Sequence, residues 1–427
     1  MRIRIAVIGL TVASVAGFAA LSLLRGQERT APPAAPAPAP PPAAPSAPPQ
    51  AVRDFSQLNG LQKDMLLSAR RGAEWLFRMN QLKGRFVHGL EPSLPDAVLD
   101  GDNYLRQAGA AFALARSARV LGDDRYTARA SQAILTLLDE TALDPKEQVR
   151  CTAPPSAVVN RLGAAGLLVL AINELPDPQI DLLDASEQLC NYIRKQGRPD
   201  GSLICTDLGP DGKPIGDETG AANEYCGVAL YALMRSQLHK PAAWKTDIVR
   251  KAVGFYRPWR QAHKSLEFVP WFTSACWEAY QRTKEQPFAD FVFEMNDWLC
   301  GLQYNQLDAQ RQLWLGGFQT WADDKAIDAP PTIASAFYAE GLVDACRTAR
   351  QAVDLDHYSR YRGALQLDLQ FIARLQYSEA GAGHFSDWYR PRLVGGFHAS
   401  HQDGNLRIDY NQHAVSALVQ FLDADLR

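Results

Sequence analysis

From Gly60 to its C-terminus the chain alternates two kinds of helical stretch, and this alternation restricts its fold more than any other property. Amphipathic stretches are predicted at about 60–81, 125–140, 180–196, 243–262, 286–303 and 356–377, with apolar residues recurring at helical spacing. Between them lie stretches that are apolar nearly all round and rich in Ala and Gly, at about 103–120, 157–174, 221–236, 270–283, 331–350 and 409–425. A helix with no polar face is a buried helix. Short turns follow the apolar stretches and long loops precede them. An inner ring of apolar helices inside an outer ring of amphipathic ones, with the long loops on one rim, satisfies that asymmetry. An irregular helical array is the alternative, since a spacing of roughly 50 to 70 residues is too long for helical solenoid repeats of about 34 residues.

Several amphipathic stretches end alike. Trp75-Leu76 leads to Gln81 and Gly84-Arg85-Phe86; Trp298-Leu299 leads to Gln303 and Gly316-Gly317-Phe318; Phe371-Ile372 leads to Gln376 and Gly383-His384-Phe385. Tyr192-Ile193, Gln196 and Gly201-Ser202-Leu203 form a degraded copy. The aromatic anchors the helix, the amide bonds exposed carbonyls, and the glycine turns the chain sharply back. This pattern resembles the α/α-toroid superfamily, which includes terpenoid cyclases, prenyltransferase β-subunits and six-hairpin glycosidase-like proteins. The resemblance implies an all-α fold, an (α/α)6 toroid of six helical hairpins.

What precedes the helices is of another kind. Arg2 and Arg4 flank the uncharged apolar run Ile5 to Leu24, long enough to span a hydrocarbon core of about 30 Å. Residues 1–30 are therefore expected to be a transmembrane anchor, with a signal segment cleaved near Ala13 to Ala20 as the alternative. Residues 31–52 are almost wholly Pro and Ala, a stiff spacer reaching about 60 Å at roughly 3.1 Å per residue. The folded domain is then 53–427, held on the periplasmic or extracytoplasmic side. Of the seven cysteines, Cys151, Cys205 and Cys226 lie in or beside long loops and are the disulfide candidates, with the pairing left open. A net charge of -3 argues against nucleic acid as a partner.

If the long loops share a rim, the N-terminal ends of the apolar helices converge on one cavity. The densest of these ends is Arg407-Ile408-Asp409-Tyr410-Asn411-Gln412-His413. Asp409 and His413 are four residues apart and share a helix face, so the carboxylate is expected to orient or charge the imidazole. The candidate catalytic residues are Glu224, Asp409, Tyr410 and His413. The candidate substrate-binding residues are Asp102, Asn103, Tyr104, Arg106, Gln107, Asn223, Trp271 and Arg407. Polar residues are expected to thin out deeper in each apolar helix. His384, His398, His401 and Asp403 share a loop, and Asp207 to Glu218 partly matches a calcium-loop pattern, but neither set is complete enough to name a metal site. No metal and no cofactor is expected, and no phosphate loop, dinucleotide fingerprint or nucleophile elbow is present.

Amides, charges and aromatics together suit a glycan, the aromatics stacking on sugar rings and the polar groups bonding hydroxyls. Arg407, Asp409 and Tyr410, with His413 one residue early, resemble a segment near the C-terminus of D-glucuronyl C5-epimerases, which implies a uronate-facing site. The expectation is an envelope-anchored toroid enzyme acting on a polysaccharide, uronate-containing chains among the candidates, by hydrolysis, elimination or epimerisation. Glu224 and Asp409 would be the acid/base pair of a hydrolase. Tyr410 and His413 would move a proton in a lyase or epimerase, with Arg407 or Arg106 neutralising a substrate carboxylate. The alternatives are a non-catalytic toroid binding a glycan or partner, and a terpenoid cyclase-like enzyme, since Asp100-Gly101-Asp102-Asn103 resembles the Asp-x-Asp-Asp acid motif short of its last residue.

Overall fold

The computed structural model describes residues 54–94, 98–153, 160–207 and 213–426. The expected anchor and the Pro/Ala linker lie outside the described residues, as does part of the calcium-like loop. Among the described residues no helix is long and apolar enough to cross a membrane.

Helices follow one another as α1 (Gly60–Met79), α2 (Tyr104–Leu121), α3 (Asp124–Leu138), α4 (Arg161–Glu174), α5 (Ile180–Lys195), the short α6 (Glu218–Ala221) and α7 (Gly227–Ser236). Then come α8 (Ala243–Trp259), α9 (Phe268–Thr283), α10 (Gln286–Cys300), α11 (Ser335–Gln351), α12 (Leu355–Arg374), the short α13 (Arg390–Leu393) and α14 (Ile408–Ala424). In the inner ring α2 packs on α4, α4 on α7, α7 on α9, α9 on α11 and α11 on α14, and α14 closes the ring against α2. The outer layer is α1, α3, α5, α8, α10 and α12. The chain is an (α/α)6 toroid, as its pattern predicts.

Local chemistry sets the inner-helix starts. Asn103 and Asn160 cap α2 and α4, their side-chain oxygens accepting from Arg106 N at 3.1 Å and Gly163 N at 2.8 Å. Small residues then let neighbours approach closely. A Cβ at Gly166 would meet the backbone of Val228 and Ala229, and one at Gly227 would meet Trp271 and Phe272.

The repeated helix-end signature is real, but two of its copies differ from the sequence reading. In the first, the amide is Asn80, not Gln81: its Nδ2 donates to Gly84 O at 2.8 Å and its backbone bridges Phe86. In the third, the glycine-aromatic run is Gly395-Gly396-Phe397, twelve residues beyond the expected one: Gln376 bridges Phe397 and donates to Gly395 O at 2.9 Å. The intervening loop carries its own helix, α13, so linear spacing misplaces the turn.

Strands occur only in the loops of the described residues. β1 (Gly89–Leu90), β7 (Asp403–Arg407) and β6 (His398–Ser400) form an antiparallel sheet in the order β1-β7-β6 on the long-loop rim; β2 (Thr141–Asp144) pairs with β3 (Val149–Thr152), and β4 (Thr320–Ala322) with β5 (Lys325–Ile327). β7 runs directly into α14, which fixes where the Arg407 to His413 stretch starts. Cys205 and Cys226 form a disulfide. Cys151, Cys190, Cys276, Cys300 and Cys346 are free thiols.

Candidate functional site

The inner-helix N-termini surround a cavity with two lobes that meet at Asp409 and His413. One lobe, of about 310 Å³, is lined by Asn103, Arg106, Glu224, Tyr225, Trp271 and Gln412, with Leu105, Leu167 and Val228. The other, of about 370 Å³, is lined by Thr332, Ile333, Phe337, Ser400, Asp403 and Tyr410, with Ala334 and Ala399. A larger hollow of about 700 Å³ lies on the outer wall between α1 and α3, away from this chemistry. There Arg125 contacts Glu74 at 3.2 Å and Asp123 at 2.8 Å.

The start of α14 is held from two sides. Ile408 N donates to His88 O at 2.9 Å, and Asn411 bonds the backbone of Phe397 in both directions, accepting at 2.8 Å and donating at 3.2 Å. Asp409 is thereby presented to two guanidinium groups. Arg407 forks onto it, Nε donating at 2.9 Å and Nη2 to the second oxygen, while Arg106 Nε approaches at 3.2 Å. Burial alone would raise the Asp409 carboxyl; the Arg407 hydrogen bond and the charges of Arg407, Arg106 and His413 outweigh it and hold it below the ordinary carboxylate value. Asp409 is therefore an ionised, saturated carboxylate, ill suited to donate a proton. Arg106 also meets His88 Nε2 at 3.2 Å, which fixes His88 with Nδ1 donating to Leu99 O at 3.0 Å.

His413 is oriented by a residue other than the one expected. Its Nδ1 lies 2.7 Å from Glu340 Oε1 on α11, so the orienting carboxylate is Glu340 and not Asp409. Gln412 Nε2 also approaches Nδ1, at 3.2 Å. The Phe337 ring lies 4.5 Å from the imidazole and Trp271 6.1 Å, centroid to centroid. With Nδ1 engaged, the second ring nitrogen, Nε2, is the one left for the cavity. Tyr410 lines the second lobe with the Arg407 guanidinium 4.4 Å from its ring centre. Burial, with Asp409 and Asp403, raises its phenol against the opposing pull of Arg407 and Arg106, so it carries its proton.

Glu224 reaches the first lobe from a single widened turn, Ala222–Cys226, between α6 and α7. Such π-type turns frequently mark functional positions. The disulfide at Cys226 ties that turn to the loop before it. Burial first, and then a hydrogen bond to Glu224, push the neighbouring Tyr225 phenol well above its ordinary value. Asn223 beside it has a buried side-chain oxygen with no partner among the described residues.

Three of the expected substrate-binding residues are occupied elsewhere. Tyr104 is buried, its hydroxyl donating to Leu137 O of α3 at 2.8 Å, so it points outward between the rings. Gln107 is spent on the backbone of Phe86, accepting at 2.8 Å and donating at 2.9 Å. Asp102 accepts from Gln107 at 2.9 Å and anchors that loop. Asn103, Arg106 and Trp271 do line the cavity, and Arg407 meets it through Asp409 and Tyr410.

The expectation that polarity thins out with depth is corrected by a buried ionic layer beneath the cavity. Arg116 contacts Glu174 at 3.3 Å, Glu340 at 3.4 Å, Gln420 at 3.1 Å and the Tyr231 hydroxyl at 2.8 Å. Glu174 also binds Arg119 at 2.7 Å and Arg235 at 3.3 Å, and Arg235 reaches Glu278 at 3.3 Å. Attention to the first turns alone missed Glu340 and Arg116. The available signal was a charge set between small residues, in Ala339-Glu340-Gly341 and in Ala115-Arg116-Ser117. In the histidine loop, His398 Nδ1 meets Ser400 O at 2.7 Å. Among the described residues no three His, Cys, Asp or Glu side chains gather as a metal-binding set.

No family model matches the chain, and no curated protein matches it in sequence. Solved structures do match in fold. A D-mannose isomerase aligns with a TM-score of 0.61 at 12% identity, over 86% of this chain and 99% of that one. A cellobiose 2-epimerase from Bacillus thermoamylovorans B4167 aligns at 0.60 and 12% identity, over 84% and 99%. An unsaturated glucuronyl hydrolase specific for heparin aligns at 0.55 and 14% identity, over 85% and 98%. At such identities the likeness is one of fold.

Proposed function

We propose that the protein is a carbohydrate-active enzyme that moves a proton on a sugar residue of a polysaccharide, with His413 as the base. The observation that carries this reading is the 2.7 Å contact between His413 Nδ1 and the buried carboxylate of Glu340, which leaves Nε2 to the cavity. The substrate class is a saccharide with a C–H bond next to a carbonyl or carboxylate, uronates included. Nε2 takes that proton, and the buried carboxylate stabilises the imidazolium that forms. Tyr410, which lines the second lobe, would supply a proton, to the leaving oxygen in an elimination or to the opposite face of the carbon in an epimerisation. Similarity in fold to an isomerase, an epimerase and a glucuronyl hydrolase supports a saccharide substrate.

Hydrolysis by Glu224 and Asp409 is the less favoured chemistry, because Asp409 is committed to two guanidinium groups. A terpenoid cyclase-like activity is disfavoured by the first lobe, where Asn103, Arg106, Glu224, Asp409, Gln412 and His413 outnumber Tyr225 and Trp271. We place the enzyme in the cell envelope, tethered through Ile5 to Leu24, a reading that the Cys205–Cys226 disulfide supports because such bonds persist in oxidising compartments.

The test is turnover of candidate glycans in deuterated water. Wild type should wash solvent deuterium into the sugar or generate an unsaturated product absorbing in the near ultraviolet, and His413→Ala should slow this by at least about 100-fold. New reducing ends without deuterium uptake, undiminished in His413→Ala, would replace the reading with hydrolysis. Saturable binding without turnover, in wild type and Glu224→Gln alike, would make the protein a binding toroid.

A further inference from the structure

Resting on the reading of His413 as the base, we infer that Arg116, a buried residue that does not line the cavity, acts through Glu340 as a positioning residue that selects the tautomer His413 presents to substrate. Glu340 is 2% exposed and bridges the two, with Oε1 at 2.7 Å from His413 Nδ1 and Oε2 at 3.4 Å from Arg116 Nη1. One proton decides what this bridge does, against the Gln412 amide, whose Nε2 lies 3.2 Å from the same Nδ1 and opposes a proton there. With Glu340 ionised, His413 Nδ1–H donates to it and Nε2 faces the cavity as a bare base. With Glu340 protonated, its O–H donates to Nδ1, and Nε2–H faces the cavity as a donor unable to abstract anything.

The groups around Glu340 determine the balance. Burial, with Asp344 one turn along the same helix adding to it, raises the carboxyl above its ordinary value; the hydrogen bond and charge of His413 from α14 and the charge of Arg116 from α2 limit that rise. Asp344 is itself engaged by Arg347 at 3.0 Å and by Ser274 of α9 at 2.7 Å, and Gln420 of α14 donates to the Glu340 backbone carbonyl at 3.5 Å. Arg116 is therefore the fixed cation that faces the carboxylate directly. It cannot swing away, because Glu174 and Tyr231 hold its other nitrogens, Gln420 Oε1 accepts from the same Nη1 at 3.1 Å, and its guanidinium lies 4.3 Å from the Phe112 ring centre.

The tautomer can be read without any substrate, from the imidazole 15N resonances of His413, assigned by their loss in His413→Ala. Wild type near neutral pH should show Nδ1 protonated and Nε2 bare. Arg116→Met should invert this, lower deuterium wash-in at neutral pH by at least about 100-fold, and restore it as pH rises, with KM little changed; Arg116→Lys should fall between. If Arg116→Met does not fold, Glu340→Gln asks the same question. Arg116 only donates, so it takes the amide oxygen, turns the amide NH2 toward Nδ1 and again leaves Nε2 protonated. A folded Arg116→Met or Glu340→Gln that keeps the wild-type tautomer overturns the role of Arg116. A tautomer that inverts as expected in a protein that turns over no saccharide overturns the assignment of His413 as the base and leaves the role of Arg116 standing.

Discussion

The carboxyl of Asp368, on α12, is wholly buried with neither oxygen hydrogen-bonded among the described residues, and burial raises its pKa well above the ordinary carboxylate value. Because the folded value lies above the unfolded one, the neutral acid is the form the fold favours. Its contribution is therefore fully present below about pH 4, the unfolded carboxylate value, and is lost as pH rises toward the folded value. Asp368→Asn removes that titration. Chemical denaturation should show the variant gaining about 1–3 kcal/mol over wild type on going from acid to mildly alkaline pH, and an unchanged difference across that range would show that Asp368 ionises freely. Single residues also mark how far the site could be read in advance. Asp409, His413, Glu224 and Arg106 were legible because a charge or imidazole in the first turn of an apolar helix needs a partner or a purpose. Glu340 and Arg116 escaped because they lie deeper, where only the neighbouring helices supply their partners.

Among the elements, the outer helices are joined by a recurring glycine turn. Gly84, Gly201, Gly316 and Gly395 all have positive φ, and a Cβ on any of them would strike the backbone of the next outer helix. At Gly395 the helix struck is α1, at Arg71 O, so this turn closes the outer layer where α12 meets the start of the ring. The local amide completes the joint, Gln376 Nε2 donating to Ser68 O of α1 at 3.0 Å. Gly395→Ala combines a strained backbone with a clash that cannot be relieved by rotating a side chain, and should lower unfolding stability by roughly 3 kcal/mol. Gly363, with nothing near its Cβ position, is the control: alanine there should be neutral or stabilising by up to about 1 kcal/mol. The glycine-aromatic signature was visible in sequence, but its third copy was misplaced, because a loop insertion changes linear spacing and leaves the joint intact.

For the whole molecule, closure of the inner ring between α14 and α2 carries both stability and the site. Deleting residues 408–427 would open α2 and α11 to water along their buried faces and remove Asp409, Tyr410 and His413 together. The truncated chain should lose cooperative thermal unfolding. Deleting residues 1–52 should leave that transition in place and, on the proposed anchor, release the protein from the membrane fraction, whereas a shortened chain still sedimenting with membranes would refute the anchor.

The sequence alone determined the helices, their division into two layers and the rim on which polar residues gather, because periodicity and small-residue content are local properties of a chain. What it could not determine is how each inner helix is rotated. A helix such as α2, buried on almost every side, has no polar face to orient it, so adjacent residues in its first turn are equivalent until neighbours are placed. Packing alone turned Tyr104 outward to Leu137, gave Gln107 to the backbone of Phe86 and aimed Arg106 at Asp409. The same tertiary decision brought Arg116, Glu340 and His413, from three separate helices, into one line.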